Sequence, residues 1–162
     1  MRLAGLNKND TANGTGITVS LFVQGCPHHC EGCFNEESWD FNGGIEVPNN
    51  IEEIIYNAIT ANGIHRNFSV LGGEPLCQEN IEFTAHIIHF VRQSFSDIKI
   101  FVWTGYTLED LKNDQQKKSY VRTILSDINT LIDGPFILSQ RDITLPLRGS
   151  SNQRILNKGI DF

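Results

Sequence analysis

Short apolar runs alternate with segments of helical periodicity along the chain. Runs rich in β-branched and aromatic residues predict four buried strands, at 17–24, 67–71, 98–104 and 128–132. Apolar residues at helical spacing predict helices at 51–59, 81–95, 108–111 and 120–125. Glycines follow the first three strands and mark their ends. Strands and helices therefore succeed one another over most of the sequence.

This alternation predicts an α/β fold of βα units with a mainly parallel sheet and right-handed crossovers. A closed eight-stranded barrel typically takes about 250 residues, whereas this chain has 162. We therefore expect an open, partial (β/α) barrel, built as one domain over residues 1–162. In such sheets ligands bind at the carboxyl ends of the strands.

Both ends of the chain give weaker signals. Residues 1–16 are polar and rich in glycine and asparagine, and they predict no strand. The stretch "LPLRGSSNQRILNKGIDF" is polar and gives no clear element. Arg148 and Arg154 lie there with few apolar neighbours in sequence, which favours a solvated tail.

Composition narrows the class of protein. Apolar residues make up 40% of the chain and charged residues 20%, as in soluble globular proteins. The net charge of −6 argues against a nucleic-acid partner. The sequence has neither the apolar core of a signal peptide nor a run near the roughly 20 residues of a membrane span. We expect a cytoplasmic protein without membrane contact, in which clustered cysteines bind metal or do chemistry.

Three of the four cysteines lie in the stretch "CPHHCEGC", with the spacing C-x3-C-x2-C. Cys26, Cys30 and Cys33 follow the first predicted strand, so they belong to a loop at its carboxyl end. A structural zinc site takes four ligands, usually as two separated pairs, and no second pair is present. Iron–sulfur clusters use thiolate ligands. Three thiolates on a cubane would leave one iron open to a substrate or cofactor.

Other interpretations of the same loop remain open. A zinc knuckle could be completed by His28, His29 or the fourth cysteine, Cys77. We interpret Cys77 as a small buried apolar residue. The two histidines are interpreted as exposed loop residues or as donors to ligands rather than ligands. Trp103 is expected to pack in the core.

Two further motifs follow predicted strands. "GGEP" (residues 72–75) comes after the second strand, and "TGY" (residues 104–106) comes after the third. Because the carboxyl ends of parallel strands share one edge, these motifs and the cysteine loop are expected to converge. Their convergence is stronger evidence for a site than any one motif.

The cysteine motif followed by Phe34 resembles the cluster motif of the radical S-adenosylmethionine (SAM) superfamily, and "GGEP" matches its second motif. The resemblance implies one 4Fe-4S cluster held by Cys26, Cys30 and Cys33, with SAM bound at the open iron. It further implies that the amino group of SAM is bound at the "GGEP" loop and its adenine near the aromatic residue. The SAM-binding residues it implies are Gly32, Cys33, Phe34, Gly72, Gly73, Glu74 and, from "TGY", Thr104.

Longer stretches resemble one family, the anaerobic ribonucleoside-triphosphate reductase activating proteins. They are "NGTGITVSLFVQGCPHHCEGCFN", "LGGEPL", "VWTGYTLEDL", "LIDGPF" and "RGSSNQRI". The resemblance implies a partial barrel of the radical SAM type and an activase that removes a hydrogen atom from a glycine of the reductase. For "RGSSNQRI", which composition alone interprets as a solvated tail, it implies docking of the partner or closure of the site. It implies two partners, the glycyl-radical subunit of that reductase and an electron donor such as a flavodoxin. One departure is Thr18, where family members often carry arginine.

Two other functions are weighed against this one. The first is another small radical SAM enzyme, either an activase of a different glycyl-radical enzyme or a deazapurine-forming synthase. "RGSSNQRI" and "WTGY" favour the reductase activase over both. The second is a non-catalytic zinc-binding module, which iron content and SAM binding would distinguish from either enzyme.

Overall fold

An open seven-stranded sheet forms the centre of the protein, which a computed structural model describes over residues 1–162. Its strands are β1 (Arg2–Asp10), β2 (Thr18–Val23), β3 (Ile45–Glu46), β4 (Asn67–Gly72), β5 (Ile100–Trp103), β6 (Thr130–Asp133) and β7 (Arg154–Asn157). They lie in the order β3-β1-β2-β4-β5-β6-β7. The α/β class predicted from the sequence is confirmed.

The four predicted strands form the centre of the sheet. β2, β4, β5 and β6 pair in parallel, whereas β1, β3 and β7 pair antiparallel at the two flanks. Parallel strands are buried on both faces and therefore have the continuous apolar runs that make them recognisable. The expected parallel arrangement holds for this central part, and the flanks add antiparallel strands to it.

All four predicted helices are present, with bounds within a few residues of those expected. They are α1 (Ile51–Thr60), α2 (Ile81–Ser94), α3 (Leu108–Asn113) and α4 (Lys118–Asp127). Their apolar faces and one face of the sheet form a single cluster of 25 buried residues. None of these helices combines the length and the apolar character that crossing a membrane requires.

Alternate residues of the central strands divide the sheet into two faces. In β2, Val19 and Leu21 belong to the helix-packed core, whereas Phe22 lines a cavity on the other face. Leu71 and Trp103 line the same cavity from β4 and β5. The period of two along a strand thus separates a packed face from a hollow one.

The expectation of a solvated tail is wrong, because β7 completes the sheet beside β6 and Arg154 is its first residue. The guanidinium of Arg154 donates to both oxygens of the fully buried Asp133, from Nε to Oδ1 at 2.9 Å and from Nη2 to Oδ2 at 2.5 Å. It also contacts Glu109 Oε2 at 2.6 Å. These bonds raise the pKa of Arg154 and lower that of Glu109 to about 2.

We expect Arg154→Met to lower the free energy of unfolding, since it leaves the buried carboxylate of Asp133 without its cation. The expected loss is about 2 kcal/mol, less than for a fully buried pair because the Arg154 side chain is 42% exposed. Denaturant unfolding would measure it, with Arg141→Met, on an exposed arginine that forms no ion pair, as control. Equal stability of the two variants would contradict this prediction.

Candidate active site

The cysteine loop (residues 25–35) begins directly after β2 and folds over the carboxyl edge of the sheet. Gly25 starts it with a φ of 95°, a conformation that favours glycine. Its N–H donates to Ser38 O at 2.8 Å, and the Cys26 N–H donates to Trp39 O at 3.1 Å. The first cysteine is thereby held by two backbone contacts to a segment that follows the loop.

Cys26, Cys30 and Cys33 line one cavity of about 220 Å³, which we call the first cavity. All three are free thiols and are partly exposed. Burial raises the pKa of Cys26 to about 11 and also raises that of Cys30. At neutral pH these two thiols are protonated, so binding of iron would release their protons.

The donor set of the three thiols suits an iron–sulfur cluster, whose protein ligands are cysteine thiolates. No group of three or more Cys, His, Asp or Glu side chains is placed closely enough to hold a single metal ion. The Asn35 N–H, 3.4 Å from Cys33 Sγ, supplies a hydrogen bond of the kind that stabilises bound thiolate.

The "GGEP" loop touches the cysteine loop through its backbone. The Gly73 N–H donates to Val23 O and the Glu74 N–H to Gly25 O, both at 2.8 Å. A Cβ atom at Gly73 would lie 2.3 Å from Gly25 O, which is closer than any real Cβ contact. Glycine is therefore needed at this position for the two loops to approach each other.

Glu74 is buried, with 1% of its surface exposed, and accepts four hydrogen bonds. Oε1 accepts from the Leu76 N–H and from Thr104 Oγ1, both at 2.8 Å. Oε2 accepts from the Gly105 N–H at 2.7 Å and contacts His28 Nε2 at 2.8 Å. One carboxylate therefore joins the cysteine loop, the "GGEP" loop and the end of β5.

This network gives Glu74 a positioning role. Its roughly four acceptor sites are all in use, so direct binding of a ligand ammonium group would displace a donor already present. Thr104 is likewise engaged, since its hydroxyl donates to Glu74 and accepts from the Tyr106 N–H at 3.2 Å. The implied contacts of both residues with SAM stay predictions.

Most residues implied by the sequence lie together on the wall of the first cavity. These are Cys26, Cys30, Cys33, Phe34, Gly72, Gly73, Glu74 and Thr104. Gly32 is not on the wall: it is exposed, and a Cβ atom there would lie 2.8 Å from the side chain of Leu138. The Phe34 side chain is 93% exposed at the cavity, free to be covered by a ligand or a partner.

The two adjacent histidines have different roles. His28, as the Nε2–H tautomer, donates to the Glu74 carboxylate, and it packs edge-on against Tyr106 with ring centroids 4.5 Å apart. His29 is exposed, with a φ of 48°, and stacks on Trp39. Of the two interpretations made from the sequence, a hydrogen-bond donor near the ligands describes His28, and an exposed loop residue describes His29.

Cys77 and Trp103 test two expectations about packing. Cys77 is 1% exposed and outside the cavity, and burial raises its pKa to about 12, which confirms the interpretation as a buried apolar residue. Trp103 is only partly buried, lines the cavity, and donates from Nε1 to Leu147 O at 2.8 Å. Its assignment to the core is wrong, because it points to the hollow face of the sheet.

One wall of the cavity was not predicted. Gly134, Phe136 and Gln153 reach it from the segment between β6 and β7, which we call the C-terminal segment (residues 134–153). "LIDGPF" is one of the stretches that carry the family resemblance, but nothing in its composition indicated a site. With this segment, loops after all four parallel strands contribute to the cavity.

A comparison with known proteins agrees with this geometry. Residues 12–156 match the family model of a 4Fe-4S single cluster domain. Over 147 residues the chain is 40% identical to the anaerobic ribonucleoside-triphosphate reductase-activating protein of Haemophilus influenzae, covering 90% of this chain and 91% of that one. The chain belongs to this family of activating proteins.

Other relatives carry the same name. The Vibrio cholerae protein is 36% identical over 147 residues, covering 90% of this chain and 91% of its own. The Escherichia coli protein is 36% identical over 145 residues, covering 89% and 90%. In this chain, the range that matches the 4Fe-4S family model includes the cysteine loop, "GGEP", "TGY" and the whole C-terminal segment. Strand β1 lies before that range.

Proposed function

We propose that the protein is a radical SAM activase of the anaerobic ribonucleotide reductase, an oxidoreductase built on a single open, partial (β/α) barrel over residues 1–162. It would cleave SAM reductively and remove a hydrogen atom from a glycine of the reductase. One electron from the bound cluster would break the bond between the sulfonium and the 5′ carbon of SAM and release methionine. The glycine would then give its hydrogen atom to that 5′ carbon and keep a glycyl radical. The names of the relatives support the partner and the role.

One observation carries the proposal: three cysteine thiols and the "GGEP" loop share one cavity at the carboxyl edge of four parallel strands. A 4Fe-4S cluster bound there would supply the electron that cleaves SAM. Cys26, Cys30 and Cys33 would be its three ligands. Gly73 and Glu74 line the same cavity as the three cysteines and would bind or position SAM there.

The remaining residues have binding and positioning roles in this proposal. The backbone at Gly72 and Gly73 would bind the amino group of SAM, and exposed Phe34 would pack on its adenine. Glu74 would hold Thr104 and the cysteine loop in place around it. The sheet would shield one side of the cavity from water, which would protect a radical from side reactions.

The proposal also includes the partner proteins and the compartment of the reaction. The reductase subunit that carries the glycine would cover the exposed side of the cavity. An electron donor such as a flavodoxin would reduce the cluster in the cytoplasm. Neither nucleic acid nor membrane takes part.

Electron paramagnetic resonance of the anaerobically reconstituted and reduced protein tests the proposal. We expect a reduced 4Fe-4S signal whose shape changes when SAM is added, because SAM would bind at the open iron. The second measurement is formation of a glycyl radical on added reductase. A protein that binds zinc and shows no paramagnetic cluster would instead be a metal-stabilised binding module. A SAM-sensitive cluster without reductase activation would favour another small radical SAM enzyme.

A further inference from the structure

The wall of the first cavity has a negative charge and no cation. Among its lining residues, Glu74 is the one Asp, Glu, Lys or Arg, and it is 1% exposed. A cluster bound by the cysteine loop would add three thiolates to the same space. Reduction of that cluster would add one more negative charge. Because like charges in a buried site oppose one another, a positive charge nearby would favour the reduced state.

Lys117 is the one buried lysine of the chain, with 6% of its surface exposed. It lies in the turn between α3 and α4, directly before Lys118. A lysine is almost never buried unless its charge is paired, because the ammonium group loses its hydration. The contacts of Lys117 therefore show what holds a positive charge inside the protein.

Three contacts hold the ammonium group of Lys117. Its Nζ donates to Leu76 O at 3.3 Å, lies 3.1 Å from Asp114 Oδ2, and is 4.2 Å from the centre of the Tyr106 ring. The face of an aromatic ring attracts a cation. The Asp114 side chain is 32% exposed and that of Lys117 only 8%. Solvent thus screens the anion of this pair more than the cation.

Two of these contacts connect Lys117 to the site. Leu76 directly follows the "GGEP" loop, and its N–H donates to Glu74 Oε1 at 2.8 Å. The Tyr106 ring packs against His28 of the cysteine loop, with centroids 4.5 Å apart. Burial, together with the charge of Glu74, raises the pKa of Tyr106 to about 12, so the field of that carboxylate reaches the ring. One aromatic ring therefore separates the ammonium group from the cysteine loop.

We propose that Lys117 supplies the positive charge that favours reduction of a cluster bound by the cysteine loop. One electron passes from the electron donor to the cluster, and no bond in the protein forms or breaks. Lys117 does not line the first cavity, so it acts through its charge and leaves the space for SAM free. The inference rests on the proposed function, since it requires a 4Fe-4S cluster in this cavity.

A purely structural role is the alternative, because Lys117 also fastens the turn between α3 and α4 to the end of the "GGEP" loop. The two roles differ in what they do to the midpoint potential of the cluster. Loss of a structural contact lowers stability and gives the potential no preferred direction. Loss of a charge shifts the potential in the direction set by the sign of that charge.

The test measures the midpoint potential of the reconstituted cluster without SAM, by anaerobic titration with dithionite and electron paramagnetic resonance. Lys117→Met removes the charge and keeps a long unbranched side chain, so we expect a more negative potential. A unit charge about 10 Å away, at an effective dielectric constant of about 20, changes the ratio of reduced to oxidised cluster about tenfold. For one electron this corresponds to about 59 mV.

Asp114→Asn removes a charge of the opposite sign, so it should make the potential less negative. Asp114 Oδ1 accepts from the N–H groups of Gln116 and Lys117, at 3.0 and 3.3 Å, and the amide oxygen of asparagine can still accept both. We expect a smaller shift than in Lys117→Met, because Asp114 is more exposed. Lys118→Met is the control, since it removes an exposed positive charge from the next residue and should leave the potential unchanged.

Shifts of opposite sign in Lys117→Met and Asp114→Asn would support the inference. Shifts of the same sign in these two variants, or equal shifts in Lys117→Met and Lys118→Met, would overturn it. If Lys117→Met holds no cluster, the sign of the shift in Asp114→Asn decides alone.

Two further results separate this inference from the proposed function. If the wild type forms a SAM-sensitive cluster and its potential is the same in Lys117→Met, the inference alone fails. If the wild type forms no cluster, the proposed function fails and the inference with it.

Discussion

Cys30→Ala is expected to abolish the reconstituted cluster, with iron and sulfide falling to background and activation of the reductase lost. The physical reason is that Cys26 and Cys33 alone would leave two irons of a cubane without protein ligands. The same result is expected for alanine at either of those positions. Anaerobic reconstitution followed by iron and sulfide analysis and electron paramagnetic resonance measures the effect.

Cys77→Ala is the matched control, because it removes the one thiol that does not line the first cavity. Cys77 is buried and its pKa is raised to about 12, so it is a poor source of thiolate. This variant should keep its full iron content. A complete cluster in Cys30→Ala, or loss of the cluster in Cys77→Ala, would contradict the assignment of the three ligands.

Glu74→Ala is expected to keep the cluster but to weaken SAM binding by about 10–100-fold, the usual effect of losing a residue that orients a metal site. The variant removes the acceptor for four donors, among them Thr104 Oγ1, the Gly105 N–H and His28. The three loops around the first cavity would then no longer be joined. Equilibrium binding of SAM to the reconstituted protein measures the loss.

Glu79→Ala is the control for this prediction, since it removes an exposed glutamate that lies shortly after Glu74 in the sequence. SAM affinity in that variant should equal that of the wild type, as should its iron content. Unchanged SAM affinity in Glu74→Ala would remove Glu74 from the site. Loss of iron in Glu74→Ala would show that the carboxylate is needed to hold the cysteine loop itself.

The centre of the fold could be predicted because its elements have strong local signals. β2 and β4 are rich in β-branched and aromatic residues and are buried along nearly their whole length, and α2 has a clear apolar stripe. Parallel pairing of these strands then brings "GGEP" to the cysteine loop without further information. This topological rule predicted the convergence of the motifs, whereas the roles of their residues were implied by the resemblance to the family.

The flanks of the sheet and one wall of the site could not be predicted, because they depend on contacts distant in sequence. β1 has a polar sequence that becomes a strand only by pairing with β2 and β3. The sequence around Arg154 predicts a solvated side chain, because its partner Asp133 is 21 residues away and meets it only through the pairing of β6 with β7. The fourth hydrogen bond to the Glu74 carboxylate likewise comes from His28, which is 46 residues away in the sequence.

The C-terminal segment has ends that are fixed side by side. Asp133 and Arg154 are directly paired residues of β6 and β7, and their side chains are joined as well. Each doubling of the length of a closed loop costs only about 0.6 kcal/mol. Insertions or deletions at exposed positions between these two residues, such as near Ile143, would therefore leave the pairing of β6 and β7 in place. Evolution can thus change the length of this segment while the sheet that carries the cysteine loop remains the same.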